Sequence, residues 1–305
     1  MEVISVVADK IRCLEIKGAR NAAVEAVKAL QEFAQQSRAE DKTKFLEELT
    51  QAQQLLFNSR ETEPLLRNAV YYLIGQIRQS SIKNVSELCT LLNMRATHFL
   101  GELDVSRNCA AEIGAKCIQN GMTIFTHCHS STAILMLLKA KQDGKNFKVI
   151  CTETRPALQG RLTACEMAEN SIDTTFIVDS ASRAFISKAD FIIVGADAIT
   201  PKGNVVNKIG TSGLAVLAYD AHKPFYVVSE LLKFDTTTHY NEFENVEQRN
   251  PADVWKDAPQ KIAVQNPAFD VTPCRYITNI ICEKGVISPQ KIFEITHQFY
   301  SWLFT

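Results

Sequence analysis

Beyond Gly121 the chain changes texture in a way that leaves few folds open. Five short apolar runs, MTIFTH (122–127), FKVICTE (147–153), TTFIV (174–178), DFIIVG (190–195) and PFYVVS (224–229), alternate with stretches of helical pattern such as SSTAILMLLKAK (130–141) and GRLTACEMAEN (160–170). Continuous apolar runs of this length suit strands buried on both faces, and a parallel strand needs a helical crossover to rejoin its sheet. The alternation predicts a doubly wound parallel α/β sheet. The polar, irregular segment from Phe234 to Asn266 reads as a surface excursion, and a last helix is expected from Pro289 to Leu303.

Residues 1–118 carry no comparable β-run. Val24, Val27, Leu30 and Phe33 recur at helical spacing in an Ala-rich stretch, as do Phe45, Leu46, Leu49 and Ala52, and then Ala69, Leu73 and Ile77. The fold class is therefore α/β, an all-helical domain over 1–118 followed by the sheet domain over 119–305. A chain of 305 residues exceeds the length that one core usually serves, which agrees with two domains.

A net charge of −1 gives no electrostatic footprint for nucleic acid or an anionic membrane, so any anion site must be local. No apolar run reaches the roughly 18 residues of a membrane span. The nine cysteines have no CxxC spacing and are odd in number, which argues against a disulfide framework or a structural zinc site and for a reducing, cytoplasmic setting.

Cys128 in THCHSS and Asp197 in VGADAIT each follow a strand run, so both should emerge at a carboxyl edge, where open α/β sheets bind ligands. The helix expected from Ser130 directs its amides at Cys128, and a helix N-terminus or a nearby cation lowers a thiol pKa. Poor solvation at the end of FIIVGA should raise the Asp197 pKa toward that of a general acid. The bland alternatives are a buried apolar cysteine and an Asx-turn or N-cap aspartate. Strand alternation sends His127 and His129 to the face opposite Cys128, which favours hydrogen bonding over metal ligation; no further ligand stands at a metal-site spacing.

ETRPALQGR (153–161) sets Arg155 and Arg161 around a turn ahead of a helix, and NKIGTSGLA (207–215) sets Asn207 and Lys208 ahead of another. Both read as phosphate sites made of helix-start amides and cations. Lys233 follows the strand PFYVVS, and KGAR (17–20) and Arg60 interrupt helical periodicity in the first domain. Two anion devices in one domain and further cations in the other suggest a doubly phosphorylated substrate held between domains.

The set ETRPALQG, VDSA, VGADAIT, GNVVNKIGTS, KPFYVVSELLKF and NPAFDVTP resembles the family that joins sugar-phosphate isomerases to the alpha, beta and delta regulatory subunits of the translation initiation exchange factor 2B. The resemblance implies a Rossmann-like sheet domain after a helical one. Enzymatic members keep the cysteine and the aspartate, and the likeness is strongest to the archaeal isomerases that convert ribose 1,5-bisphosphate to ribulose 1,5-bisphosphate in AMP breakdown. The alternatives within the family are methylthioribose-1-phosphate isomerase and a non-catalytic regulatory protein. By resemblance Cys128 is the proton acceptor and Asp197 the proton donor, and Lys17, Gly18, Ala19, Arg20, Arg60, Ser130, Ser131, Thr132, Arg155, Asn207, Lys208 and Lys233 contact substrate. Lys17 stands where the isomerases have arginine and lacks the bidentate fork. The resemblance also implies no metal and no cofactor, a phosphorylated sugar as partner, AMP as a candidate effector, and a homo-oligomer, dimer or hexamer.

Overall fold

Apolar residues at three- and four-residue spacing decide the first third of the chain. The computed structural model describes residues 1–60, 63–237 and 247–304. Five helices come first: α1 (Glu2–Arg12), α2 (Ala19–Gln36), α3 (Lys42–Phe57), α4 (Pro64–Gln79) and α5 (Val85–Ala115). In α2 the buried stripe is mostly alanine (Ala22, Ala23, Ala26, Ala29), with Val27, Leu30 and Phe33 between. Small side chains there let neighbouring helices approach closely, and the larger residues fill the gaps. Asp41 caps α3 by accepting the Lys44 amide at 2.9 Å, and Pro64 opens α4, where its missing N–H costs nothing.

The chain forms two compact units. The helical unit comprises Met1–Val105, Leu232–Phe234 and Tyr300–Thr305, and the second comprises Ser106–Leu231 and Asp235–Phe299. Leu232 is buried in the helical core, and the Asn68 amide donates to the carbonyls of Leu232 and Phe234 at 2.8 and 2.9 Å. The Phe234 and Phe304 rings lie 5.6 Å apart and those of Tyr72 and Trp302 5.0 Å apart. Those C-terminal aromatics explain a departure from expectation. The helix expected over 289–303 is broken into a 3₁₀ turn, α10 (Ile292–Phe299) and a second 3₁₀ turn, Ser301–Phe304, because the residues beyond Phe299 belong to the helical core.

In the second unit the elements run β1 (Thr123–Thr126), α6 (Ser131–Gln142), β2 (Lys148–Thr152), α7 (Gln159–Glu169), β3 (Asp173–Ile177), α8 (Ser182–Phe185), β4 (Phe191–Val194), β5 (Ala198–Ile199), β6 (Val205–Lys208), α9 (Thr211–Asp220), β7 (Phe225–Val228), β8 (Phe269–Thr272), β9 (Asn279–Cys282) and β10 (Gly285–Ile287). All five expected strands are present and parallel, in a seven-stranded sheet ordered β10-β9-β7-β4-β1-β2-β3. β9 continues the parallel set and β10 closes one edge as an antiparallel hairpin. A second sheet, β5-β6-β8, is antiparallel. Part of the expected excursion, 238–246, lies outside the described residues. Among the described residues no helix is long and apolar enough to cross a membrane.

The sheet grows from β1 through β2 to β3 on one side and through β4 to β7 on the other. Its strand order therefore reverses between β1 and β4, and the crevice of such a sheet opens beyond the carboxyl ends of that pair.

Asn68 is buried and holds two main-chain carbonyls. Asn68→Ala is expected to lower the unfolding free energy by about 1–3 kcal/mol in a urea titration, the cost of leaving those acceptors without a donor.

Candidate active site

β1 and β4 are hydrogen-bonded neighbours with Thr126 level with Ile193. Cys128 lies two residues past the end of β1 and Asp197 three past the end of β4, so the topology alone brings the two to one edge. Cys128 has a left-handed backbone, φ 67°, a conformation that costs a non-glycine residue free energy and persists only where its surroundings enforce it. Two buried threonines do so. The Cys128 amide donates to Thr154 Oγ1 at 2.9 Å, and Thr163 Oγ1 donates to the Cys128 carbonyl at 2.8 Å. Thr154, itself at φ 63°, donates its amide to Asp179 Oδ1 at 2.8 Å, and Arg155 donates its own to Oδ2 at 2.7 Å. The thiol points at Gln159 Oε1, 3.5 Å away.

The strand stops at Thr126, so its alternation does not extend to the flanking histidines. Each is hydrogen-bonded instead. His127 bridges Thr152 Oγ1 (2.6 Å) and the Ile209 carbonyl (2.9 Å), and His129 Nδ1 meets Thr163 Oγ1 at 3.1 Å. Burial lowers the pKa of both, so they are neutral at physiological pH and supply no cation to the thiol. The expected thiolate is accordingly corrected. Burial pushes Cys128 up to about 11, the charges of Lys208 and Arg249 pull it down, and that of Asp197 raises it further. A protonated thiol is the resting form.

The small sheet arranges the opposite wall. Asp197 donates its amide to the Val206 carbonyl at 2.9 Å, and the β5–β6 register, Ala198 with Val206, continues to place Asp197 across from Asn207. Asn207 and Lys208 are both buried. Asn207 donates to Thr211 Oγ1 at 3.1 Å, and Lys208 Nζ sits 4.8 Å over the Phe269 ring. The helix start at α9 does not have the expected anion-binding amides available. Those of Gly210 and Ser212 are already taken by the Asp270 carboxylate at 2.8 and 3.1 Å. That turn contributes side chains rather than main-chain donors.

Gly195 explains how Ser130 comes to the same edge. A Cβ at Gly195 would lie 2.3 Å from Ser130 Oγ, so only glycine lets β4 run beneath the cap of α6. Ser130 accepts the Ala133 amide at 3.4 Å, Ser131 is exposed, and fully buried Thr132 donates to Glu230 at 3.4 Å. The two arginines of ETRPALQGR do not share an anion cradle: exposed Arg155 donates to the Val254 carbonyl at 3.1 Å, while Arg161 pairs with Glu153 at 2.6 Å. In the helical unit Lys17 and Gly18 are exposed and Ala19 is buried. Arg20 bonds the Leu103 carbonyl at 3.1 Å and Asp104 at 2.6 Å, and Lys233 is buried. Arg60 is buried beside Glu63 at 2.7 Å, not an exposed cation.

Sequence reading missed Thr154, Gln159, Thr163 and Arg249. The first two lie inside ETRPALQGR, where the two arginines drew attention. Thr163 had no signal beyond a helical position, and Arg249 stands in a stretch read as surface.

Two pH effects follow. With Cys128 near 11, its alkylation by iodoacetamide, followed by mass spectrometry of its own peptide, is expected to accelerate about tenfold per pH unit from 8 to 10. A plateau by pH 8 would contradict a protonated resting thiol. Asp270 is pushed up to about 6, chiefly by burial. A folded-state pKa above the unfolded one means stability that is present at pH 4 and lost as pH rises through 6. The Tm of Asp270→Asn relative to wild type is therefore expected to grow from pH 4 to pH 7 by calorimetry.

Known proteins are similar to this one along almost the whole chain. Residues 15–289 match the Initiation factor 2 subunit family. The ribose 1,5-bisphosphate isomerase of Methanocaldococcus jannaschii is 39% identical over 99% of this chain and 97% of its own length. The methylthioribose-1-phosphate isomerase of Acetivibrio thermocellus is 34% identical over 93% of this chain and 87% of its own. The crystal structure of a Pyrococcus horikoshii OT3 translation initiation factor eIF-2B superposes with a TM-score of 0.83 at 29% identity, covering 95% of this chain and 98% of that one. A match over nine-tenths of the sequence, carried by a parallel sheet whose switch point holds Cys128 and Asp197, makes this chain a member of the Initiation factor 2 subunit family.

Proposed function

We propose that this chain isomerises α-D-ribose 1,5-bisphosphate to D-ribulose 1,5-bisphosphate. The observation that carries the reading is the meeting of Cys128 and Asp197 at the carboxyl ends of two adjacent parallel strands, in a chain that is 39% identical to a ribose 1,5-bisphosphate isomerase over nearly its whole length.

Phosphorylation at C1 locks the sugar ring, so opening it needs an acid at the ring oxygen and forming the ketose needs a base at C2. In the resting site one proton sits on sulfur, close enough to Asp197 for the carboxyl group to act on it electrostatically. Transfer of that proton from Cys128 to Asp197 arms both groups at once. Asp197 then protonates the ring oxygen as the C1–O bond breaks, and Cys128 takes the C2 proton, whose bonding pair forms the C1–C2 double bond. Return of the sulfur-bound proton to C1 and of the enol hydroxyl proton to Asp197 completes the ketose and restores both residues. Each group donates and recovers one proton, and no electrons leave the substrate.

Asn207 and Lys208 supply hydrogen bonds and charge beside the pair, and the Ser130–Thr132 turn and Arg155 stand with them in the same unit. Lys17 to Arg20, Arg60 and Lys233 of the helical unit enter the same reading as substrate contacts. AMP as effector, a homo-oligomer, and a cytosolic setting in nucleotide breakdown belong to it as well.

Cys128→Ser and Asp197→Asn are each expected to lower kcat on ribose 1,5-bisphosphate by at least about a thousandfold with the circular dichroism spectrum unchanged. Near-normal turnover by both purified variants would sink the acid/base assignment. Preferred turnover of methylthioribose 1-phosphate by the wild type would move the chain to the other isomerase.

A further inference from the structure

The backbone after residue 246 is pinned where an uncommitted surface loop would not be. The Arg249 amide donates to the Asn266 carbonyl at 2.8 Å, the Ala268 amide donates to the Glu247 carbonyl at 2.8 Å, and Gln248 bridges Pro267. The segment thus runs antiparallel to the residues that lead directly into β8. β8 sets Phe269 level with Lys208 on β6. Arg249 consequently reaches the same aromatic ring as Lys208, its guanidinium carbon 5.5 Å from the centroid and the Lys208 ammonium 4.8 Å from it. The Arg249 side chain is only 16% exposed, and Glu247 engages its Nε at 3.1 Å.

Glu247 takes the inner nitrogen of the guanidinium, which orients the planar group without using the fork formed by its two terminal nitrogens. Such a fork matches two oxygens of a phosphate, whereas an ammonium offers a point charge. An aromatic ring shared by two cations holds them at a fixed spacing and contributes attraction to each. Both cations also act on Cys128, lowering its pKa, which locates them beside the group that takes a proton from C2.

We propose that Arg249 is a substrate-binding residue, and that its guanidinium fork, together with Lys208 on the Phe269 ring, holds the phosphate on C1. The assignment rests on the isomerase reading and adds to it a residue and the end of the substrate that it recognises. The C1 phosphate is the one next to the reacting carbons, so it is the phosphate that cations adjacent to Cys128 can reach. Fixing it there also orients C2 toward the sulfur.

The test uses the purified full chain as wild type, Arg249→Ala and Arg249→Lys, with circular dichroism to verify folding. Three quantities are measured: kcat and KM for α-ribose 1,5-bisphosphate, competitive inhibition by ribulose 1-phosphate and by ribulose 5-phosphate, and the pH profile of Cys128 alkylation. Arg249→Ala is expected to raise KM by about ten- to a hundredfold, in keeping with loss of a charge-assisted bidentate contact. Its inhibition by ribulose 1-phosphate should weaken by a similar factor while that by ribulose 5-phosphate holds, and its alkylation profile should move to higher pH. Arg249→Lys keeps the charge but not the fork, so it should lie between the two and leave the alkylation profile near that of wild type. It also keeps the proposal testable where the alanine variant does not fold. An active wild type whose Arg249→Ala variant stays within about twofold in KM overturns the role of Arg249 alone. Equal weakening of both inhibitors overturns the C1 assignment. A wild type that does not turn over the bisphosphate overturns the isomerase reading instead.

Discussion

Everything in the second unit depends on β1 and β4 lying side by side in one register. Ile124, Phe125, Ile192 and Ile193 are all buried at 4% exposure or less, so neither strand can slide without moving its apolar side chains to wrong positions. That lock fixes where each strand ends, and the two loops beyond Thr126 and Val194 have nowhere to go but the same crevice. Gly195 sharpens the placement, since its missing side chain admits Ser130 and so seats the start of α6 against β4. The strained backbone at Cys128 is the local counterpart of this constraint. Two threonine hydroxyls hold both main-chain polar groups of a residue that would relax elsewhere, and the lost flexibility is what aims the sulfur.

Burial governs the electrostatics of the crevice more than any single charge. A thiol buried away from water keeps its proton, and the cations nearby only moderate that preference. The flanking histidines do not help, because burial strips them of charge and their nitrogens are committed to Thr152, Ile209 and Thr163. Lys208 and Arg249 therefore set how costly a charged sulfur is. Asp270 shows the same rule at a structural position. Main-chain amides at the start of α9 favour its charged form, and burial still outweighs them.

The parallel core was legible because β1, β2, β3, β4 and β7 are continuous apolar runs with helical pattern between them, and that combination admits few alternatives. β5 was not, since Ala198–Ile199 is a two-residue strand whose existence depends on pairing with β6, a contact invisible to local pattern. β6 runs directly into the helix start that drew the reading of NKIGTSGLA, and its strand character depends on pairing with β5 and β8. β9 and β10 are four and three residues long and are joined by a tight turn, with no helical pattern between them to mark them as parallel-sheet strands. Among the candidate site residues, Cys128, Asp197 and Lys208 are those that chemistry marks out in isolation. Thr154, Thr163 and Arg249 were missed because each matters through a partner distant in sequence: Cys128 for the threonines, Phe269 for the arginine.

The helical unit sets a different problem, in which a buried ion pair includes a residue that the proposed reading also assigns to substrate. Arg60 is 7% exposed and lies 2.7 Å from Glu63, which is fully buried. Removing one member of a buried ion pair leaves the other charged without compensation, which typically costs about 3–5 kcal/mol, whatever else the residue does. A guanidinium has five donors and a carboxylate engages at most two of them in a fork, so a structural pairing with Glu63 and a contact to an anion are compatible in one side chain. An alanine at position 60 would thus report on folding before it reported on binding. Arg60→Lys changes the geometry of the charge without removing it, and comparison of its stability with its substrate affinity separates the two demands on physical grounds.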